Sequence, residues 1–382
     1  MTSIQKRQKG EKKVKKRLNL VLSVVVLLSL FLTACSGGQP ATNGEQTDST
    51  SSPETADGSV ELRIVTMFGG TDPVTSVLRD VLQEFENQNP GIKIINDSMT
   101  AGDAFNTKVS TDFSSGNEPE IVFYFNGANA TSFVEAGKVI PMEELLDADQ
   151  EWKEGFHEAA LEQMKEKDGK LYAIPVNGFY EGLIVNKAMF DEYGIALPTD
   201  WATYEKAISA FKEKGIIPIG QSLPESWYLI EHYLMAAGGP AGHQNPFDDS
   251  WKKGLEVIQK HAEMGAFPID ANTIDDATAQ HLFDTEQAAM MINGSWAVGG
   301  LSEEMQEKVV VLPIPAMEGS TGTGQDVIGG FSAGFYITTK AYESPKKEAA
   351  IQLLKFLTSK ENIQKYATAN GGPPAAKVTV EA

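Results

Sequence analysis

Gly330-Phe331-Ser332-Ala333-Gly334 spells the G-x-S-x-G pattern. In a strand–turn–helix setting with a later histidine, that pattern exposes a serine hydroxyl for attack on an acyl carbon. Here Ser332 is followed by the strand-like Phe335-Tyr336-Ile337-Thr338-Thr339, and the last histidine, His281, precedes it. With no general base downstream, no triad is read from it. His157, His232, His243, His261 and His281 show neither HExxH spacing nor a ligand pair for zinc. Asp147-Ala148-Asp149-Gln150-Glu151 opens like a calcium loop, but Trp152 stands where the sharp turn requires glycine. A single cysteine, Cys35, excludes a disulfide framework and any CxxC redox or zinc site. Acidic residues outnumber basic ones 52 to 32, for a net charge of -20, which excludes a nucleic-acid partner held by clustered Lys and Arg. The same acidity leaves paired carboxylates for glycoside hydrolysis open, since any acidic chain supplies candidates. The expectation is a binding protein without metal or cofactor rather than an enzyme.

Binding side chains need elements to hold them. The length of 382 residues and the 41% hydrophobic content suffice for two domains, each with its own core. Val60–Thr66 alternates like a half-buried strand. Asp72-Pro73 then caps a helix whose Val74, Val77, Leu78, Val81, Leu82 and Phe85 form one stripe. Asn89-Pro90-Gly91 stops that helix before a strand at 92–95. A helical stretch through Phe105, Val109 and Phe113 leads to Ile121–Phe125, too apolar for a surface strand. Strand–helix–strand–helix–strand predicts a parallel sheet covered by helices. Further strands are expected at 171–174, 182–186, 216–219, 289–292, 309–312 and 333–339. Helices are expected near 151–166, 200–214, 226–237, 250–264, 273–283 and 345–357.

The N-terminus carries an address. Residues 1–34 hold eight basic groups against Glu11 alone, so the rest of the chain carries -27. The apolar run 18–32 is shorter than the ~20 residues of a membrane-spanning helix and reads as the core of a signal peptide. Leu32-Thr33-Ala34-Cys35 resembles the lipobox of bacterial lipoproteins. That resemblance implies cleavage before Cys35, a lipid on its thiol, and a protein held on the outer face of the cytoplasmic membrane without spanning it. Residues 36–58 contain no large apolar side chain and read as a flexible tether.

Six local patterns carry a wider resemblance. They are Gly116-Asn117-Glu118-Pro119-Glu120-Ile121, Asp168-Gly169-Lys170-Leu171-Tyr172-Ala173-Ile174-Pro175, Glu181–Lys187, Leu197-Pro198-Thr199-Asp200-Trp201, Ala288–Trp296, and Gly329–Thr339 with the helix 349–359. In this order, over about 320 residues, the chain resembles the maltose-binding-protein-like solute-binding lipoproteins of carbohydrate ABC importers. The resemblance implies an α/β, two-lobed periplasmic-binding-protein-like fold with a hinge and a ligand cleft between the lobes. The first lobe is expected over 59–176 and 325–372 and the second over 177–324. The family's usual C-terminal helices are expected to be missing after Ala382. The partners implied are a carbohydrate and the transmembrane permease, with the protein acting as a monomer.

A sugar presents apolar C–H faces and a rim of hydroxyls, so its site needs aromatic platforms and polar acceptors. In two-lobed α/β proteins these lie on loops beyond strand C-termini. By resemblance Trp296 is the tryptophan that stacks on a sugar ring. Trp227, Tyr228, Tyr124, Asn126 and Phe68 lie on other loops of the same kind. Tyr180 and Glu181 fall at the first expected crossing between lobes and Asp326 at the second. Cargo of another class, namely a polyamine, an iron chelate or a peptide, remains an alternative within the same fold, and a secreted carbohydrate-active enzyme is a second alternative.

Overall fold

The computed structural model describes residues 59–379. The signal peptide, the lipidation of Cys35 and the tether through residue 58 lie outside the described residues. Among the described residues nine strands follow in chain order: β1 (Val60–Val65), β2 (Ile92–Asn96), β3 (Ile121–Phe125), β4 (Phe179–Asn186), β5 (Ile217–Ile219), β6 (Ala288–Gly294), β7 (Val309–Leu312), β8 (Ile328–Gly330) and β9 (Ala333–Ile337). They form two sheets, ordered β2-β1-β3-β9 and β5-β6-β4-β7, with β8 paired to β4.

The first sheet is built as its sequence dictates. Leu62 and Ile64 of β1 are fully buried, and the helix Val74–Gln88 lays Val74, Leu78, Val81, Leu82 and Phe85 onto the sheet. Asp72 starts that helix by accepting the Val74 N–H at 2.8 Å. β1 runs parallel to β2 and β3, whereas β9 is antiparallel to β3. The expectation of a parallel sheet therefore fails at this edge. The chain re-enters beside the end of β3, pairing Ala333 with Phe125, and must run back toward Ile121. Helices Lys347–Leu357 and Lys360–Asn370 close the core with Leu353, Leu354, Ile363 and Tyr366. The second of these helices was not expected from the sequence.

The second sheet is mixed. β4 is antiparallel to β6, β7 and β8, and only β5 and β6 run parallel. Leu183, Val185, Met290 and Ile292 face a core shared with Tyr204, Phe211 and Tyr233. Ile184 and Met291 face the opposite side with Phe283 and Ala297. Two local expectations are corrected. Residues 171–174 make only isolated bridges, Leu171 to Lys165 and Ile174 to Phe335, instead of a ladder strand. The helix expected over 151–166 is broken at Gly155 into Gln150–Glu154 and Glu158–Gln163.

Three chain passages meet where the two sheets join. Residues 177–181 enter β4, β8 lies antiparallel against Phe179–Glu181, and Pro373 accepts the Gly178 N–H at 2.7 Å. β8 was expected in the first lobe but belongs by its hydrogen bonds to the second sheet. Glycines permit this approach: a Cβ on Gly178 would meet the Gly330 carbonyl at 2.6 Å, and one on Gly329 the Phe179 carbonyl at 2.6 Å.

Candidate functional site

The aromatic residues that gather do so around the C-terminal end of β6. Gly294 ends that strand, and the chain turns directly into the short helix Ser295–Gly299, which carries Trp296. The indole folds back over Gly294, where any Cβ would overlap the ring. The helix Trp227–His243 begins opposite and presents Tyr228, whose ring centroid lies 5.5 Å from that of Trp296 at 51°. Trp227 meets Tyr228 edge-on at 5.5 Å and leaves 42% of its surface in solvent. Phe179 of β4 completes the group, 6.1 Å from Trp296. Trp227, Tyr228 and Trp296 are thus brought together, and Phe179 was missed by sequence reasoning.

Carboxyl groups ring these aromatics. Glu181 pairs with Gly294 across the β4–β6 ladder and is 6% exposed. Its Oε2 is buried 3.8 Å from His232 Nδ1, and the carboxyl shares a hydrogen bond with Glu231. Burial, and then the neighbouring Glu231 carboxylate, push the Glu181 carboxyl up to about 9, so it is protonated at neutral pH. His232 Nδ1 lies 2.8 Å from the Tyr228 carbonyl. A carbonyl accepts only, which assigns the proton to Nδ1. Burial lowers the His232 pKa and keeps the ring neutral. Glu231 in turn lies 3.8 Å from His243.

On the other flank, Asp276 opens the helix Asp276–Asp284. Its N–H donates to Glu225 Oε2 at 2.7 Å, and its own Oδ2 accepts from Asn293 Nδ2 at 3.3 Å. Burial raises the Asp276 carboxyl to about 6 against the help of Asn293. Tyr228 is where both flanks converge. Its phenol pKa is pushed up by burial first, then by Asp276, Glu181 and Glu231. Gln221, just past β5, is 1% exposed and has a buried Oε1 with no partner. Glu225 faces the other lobe, because a Cβ on Gly102 would lie 3.8 Å from its Oε1.

The remaining expected residues are placed elsewhere. Phe68 is 4% exposed with its ring 4.7 Å from Phe123, inside the first core. Tyr124 is equally buried, among Phe105, Phe125 and Phe133, and its hydroxyl donates to Asn106 Oδ1 at 3.1 Å. Both are core residues rather than cleft residues, because the first core needs their rings more than the loop rule allows for. Asn126 is half-buried and donates through Nδ2 to the Gln163 carbonyl at 3.2 Å. Tyr180 is half-buried in β4 opposite Gly329. Asp326 accepts the Thr323 N–H at 2.8 Å and closes a turn. No group of three or more His, Cys, Asp or Glu suited to a metal ion occurs among the described residues.

Two α/β lobes joined by crossing strands, with aromatic rings and buried acceptors at the junction, define a receptor that holds a small solute. The chain belongs to the bacterial extracellular solute-binding proteins, whose sequence profile it matches over residues 80–382. It is 23% identical over 376 residues to the multiple sugar-binding protein of Streptococcus mutans, covering 94% of this chain and 82% of that one. Among solved structures it resembles one from work on xylan utilization by Caldanaerobius polysaccharolyticus, with a TM-score of 0.75, 24% identity, and 83% and 82% of the two chains covered. It also resembles the maltose-bound MalE3 of T. maritima, with a TM-score of 0.68, 20% identity, and 84% and 82% covered.

Proposed function

We propose that this protein captures a carbohydrate between its two lobes and delivers it to the transmembrane permease of an ABC importer. The observation that carries the reading is the Trp227–Tyr228–Trp296 group at the lobe junction, bordered by Glu181, Glu225, Asp276 and Gln221. Rings of this kind cover the apolar faces of a pyranose, and the carboxyl and amide oxygens accept its hydroxyl protons. The names of relatives support the same cargo class: the Streptococcus mutans protein is a multiple sugar-binding protein, and the T. maritima structure holds maltose.

Function then follows from closure. A ligand touching both lobes gains contacts in the closed state that it lacks in the open one, so it shifts the population toward closure. The crossing passages 177–181 and 328–333 are the segments that would bend. Asn126, Tyr180 and Asp326 stand near them and are assigned to the rim and hinge. The permease reads the closed shape and no covalent step is needed, so the protein acts as a monomeric receptor and not as an enzyme. Cys35, cleaved and acylated, anchors it to the outer face of the cytoplasmic membrane.

The test is a thermal-shift screen of the purified protein against mono-, di- and oligosaccharides, polyamines, amino acids and iron chelates. A ligand at 100 times its dissociation constant adds about 2.7 kcal/mol. A shift confined to saccharides supports the reading. Stabilisation by an amino acid, polyamine or chelate alone contradicts it.

A further inference from the structure

We infer that Thr321 and Gln163 are positioning residues for closure: they clamp the two ends of the second crossing passage to opposite lobes and confine its bending to residues 327–330. The inference rests on the receptor reading above. It begins at the helix Trp227–His243, which carries Trp227 and Tyr228. Pro240 lies inside this helix and has no N–H, so the Ala236 carbonyl loses its helical donor. Gly239, at φ 65°, breaks the helical geometry just past the Gly238 carbonyl. One loop takes up both carbonyls. The Met317 N–H donates to Ala236 at 2.8 Å, and the Thr321 hydroxyl donates to Gly238 at 2.6 Å. The backbones touch there, because a Cβ on Gly322 would lie 3.0 Å from the Gly239 Cα. Met317 itself is buried in the second core.

The loop therefore moves with the body that carries the aromatic group. Its fixed part ends at Asp326, whose Oδ2 accepts the Thr323 N–H at 2.8 Å. Val327 follows with 60% of its surface in solvent, so packing holds it little. The far end of the passage is held from the first lobe. Gln163 closes the helix Glu158–Gln163, which packs on the first core through Ala160 and Leu161. Its Oε1 accepts the Phe331 N–H at 2.9 Å, and its carbonyl accepts from Asn126 Nδ2 at 3.2 Å. From Ala333 onward the chain is β9, paired with β3 of the first sheet. Residues 327–330 are the stretch between the two anchors. They include Gly329 and Gly330, the latter at φ 145°, and they pair with Phe179–Glu181 of the first passage. A short anchored stretch has few torsions to bend about, so the lobes follow one path. Loosening either end adds torsions and raises the entropy that closure must remove.

Hydrogen exchange of the ligand-free protein, read by mass spectrometry, tests this. In Thr321→Val and in Gln163→Leu the amides of Phe179–Glu181 and Ile328–Gly330 are expected to exchange about 5-fold faster, the loss of one hydrogen bond at an anchor. The strands β1 and β3 should keep their parent rates. Thr321→Ser and Gln163→Glu, which retain the donor and the acceptor, should restore the parent rates at β8. Faster exchange confined to residues 317–326 in Thr321→Val, with β8 unchanged, overturns the inference, because Thr321 then packs its own loop only. Titration with maltose, cellobiose, xylobiose and raffinose is the second arm. Any of these that the parent binds should bind Thr321→Val and Gln163→Leu about 3-fold or more weakly, although neither residue lies in the aromatic group. Unchanged affinity in both variants overturns the role in closure. If the folded parent binds no saccharide, the carbohydrate reading falls and the exchange rates alone decide whether the anchors hold.

Discussion

Glu181 and Gly294 face one another across the β4–β6 ladder, and the Trp296 indole lies over Gly294. The carboxyl and the ring therefore stand on the same side of the sheet, at the strand that carries the chain from one lobe to the other. One ladder pair thus ties the aromatic platform, a buried acid and the crossing strand together. Any solute that moves the ring or charges the acid acts directly on that strand.

The acid gives the first prediction a sign. The unfolded Glu181 carboxyl titrates near 4.5 and the folded one near 9, so between these values the native state holds the proton that the unfolded chain has lost. Native stability attributable to Glu181 is full below pH 4.5 and declines as pH rises toward 9. Asp276 and Asp72, raised by burial to about 6, add a decline between about pH 4 and 6. His232 and His261, whose pKa values burial lowers, act oppositely and lose stability as pH falls through the unfolded histidine range. Glu181→Gln isolates the acid. Its melting temperature at pH 8 should exceed that of the parent by roughly 2–4 °C, equivalent to about 1 kcal/mol, and the gap should vanish at pH 5. A lower melting temperature at pH 8 would show that the hydrogen bond to Glu231 outweighs the cost of burying the acid.

Gly239 tests the frame behind the site. It sits inside the helix Trp227–His243 at φ 65°, ahead of Pro240, with non-helical geometry that kinks the helix. A Cβ there would lie 2.5 Å from the Gly322 nitrogen. Gly239→Ala is expected to cost about 1–3 kcal/mol, read as a drop in the denaturation midpoint. An unchanged midpoint would show that the loop at 319–324 yields freely.

Tyr233 tests the core beneath the platform. Its hydroxyl lies 2.6 Å from His261 Nδ1 and 3.2 Å from the Tyr204 hydroxyl, all three fully buried. Tyr233→Phe strands both partners and should cost about 1–3 kcal/mol in urea unfolding. A neutral result would mean that the partners rearrange to satisfy each other.

The proposed lipid anchor makes membrane attachment depend on the Cys35 thiol. Cys35→Ser should abolish incorporation of labelled palmitate and move the protein from the membrane fraction to the medium. Retention of the variant in the membrane fraction would show an anchor other than the acylated thiol.

Much of this was legible in the sequence. The stripe from Val74 to Phe85 stands where periodicity puts it, while Asp72 accepts the Val74 N–H from one residue ahead of Pro73, which takes the cap position itself. The aromatic residues just past a strand or at a helix start, Trp227, Tyr228 and Trp296, come together in space. The loop rule fails for Phe68 and Tyr124 because it gives the end of the strand and not the side on which a ring leaves it. Glu231 and His232 were missed although they lie three and four positions after Tyr228, a spacing that puts them on its helix face. Asp276 was hidden as a helix-start acid, a position usually explained by capping alone. The β9 reversal was not legible, because no local pattern records the direction from which a chain returns to a sheet.

The most direct measurement is an equilibrium titration of a saccharide identified by the thermal screen into the parent protein and Trp296→Ala. One saccharide bound per chain, with affinity lowered about 30-fold or more in the variant and folding unchanged, is the predicted result. Undiminished saccharide binding in the variant, or no saccharide binding by the folded parent, would contradict a carbohydrate receptor built on this tryptophan.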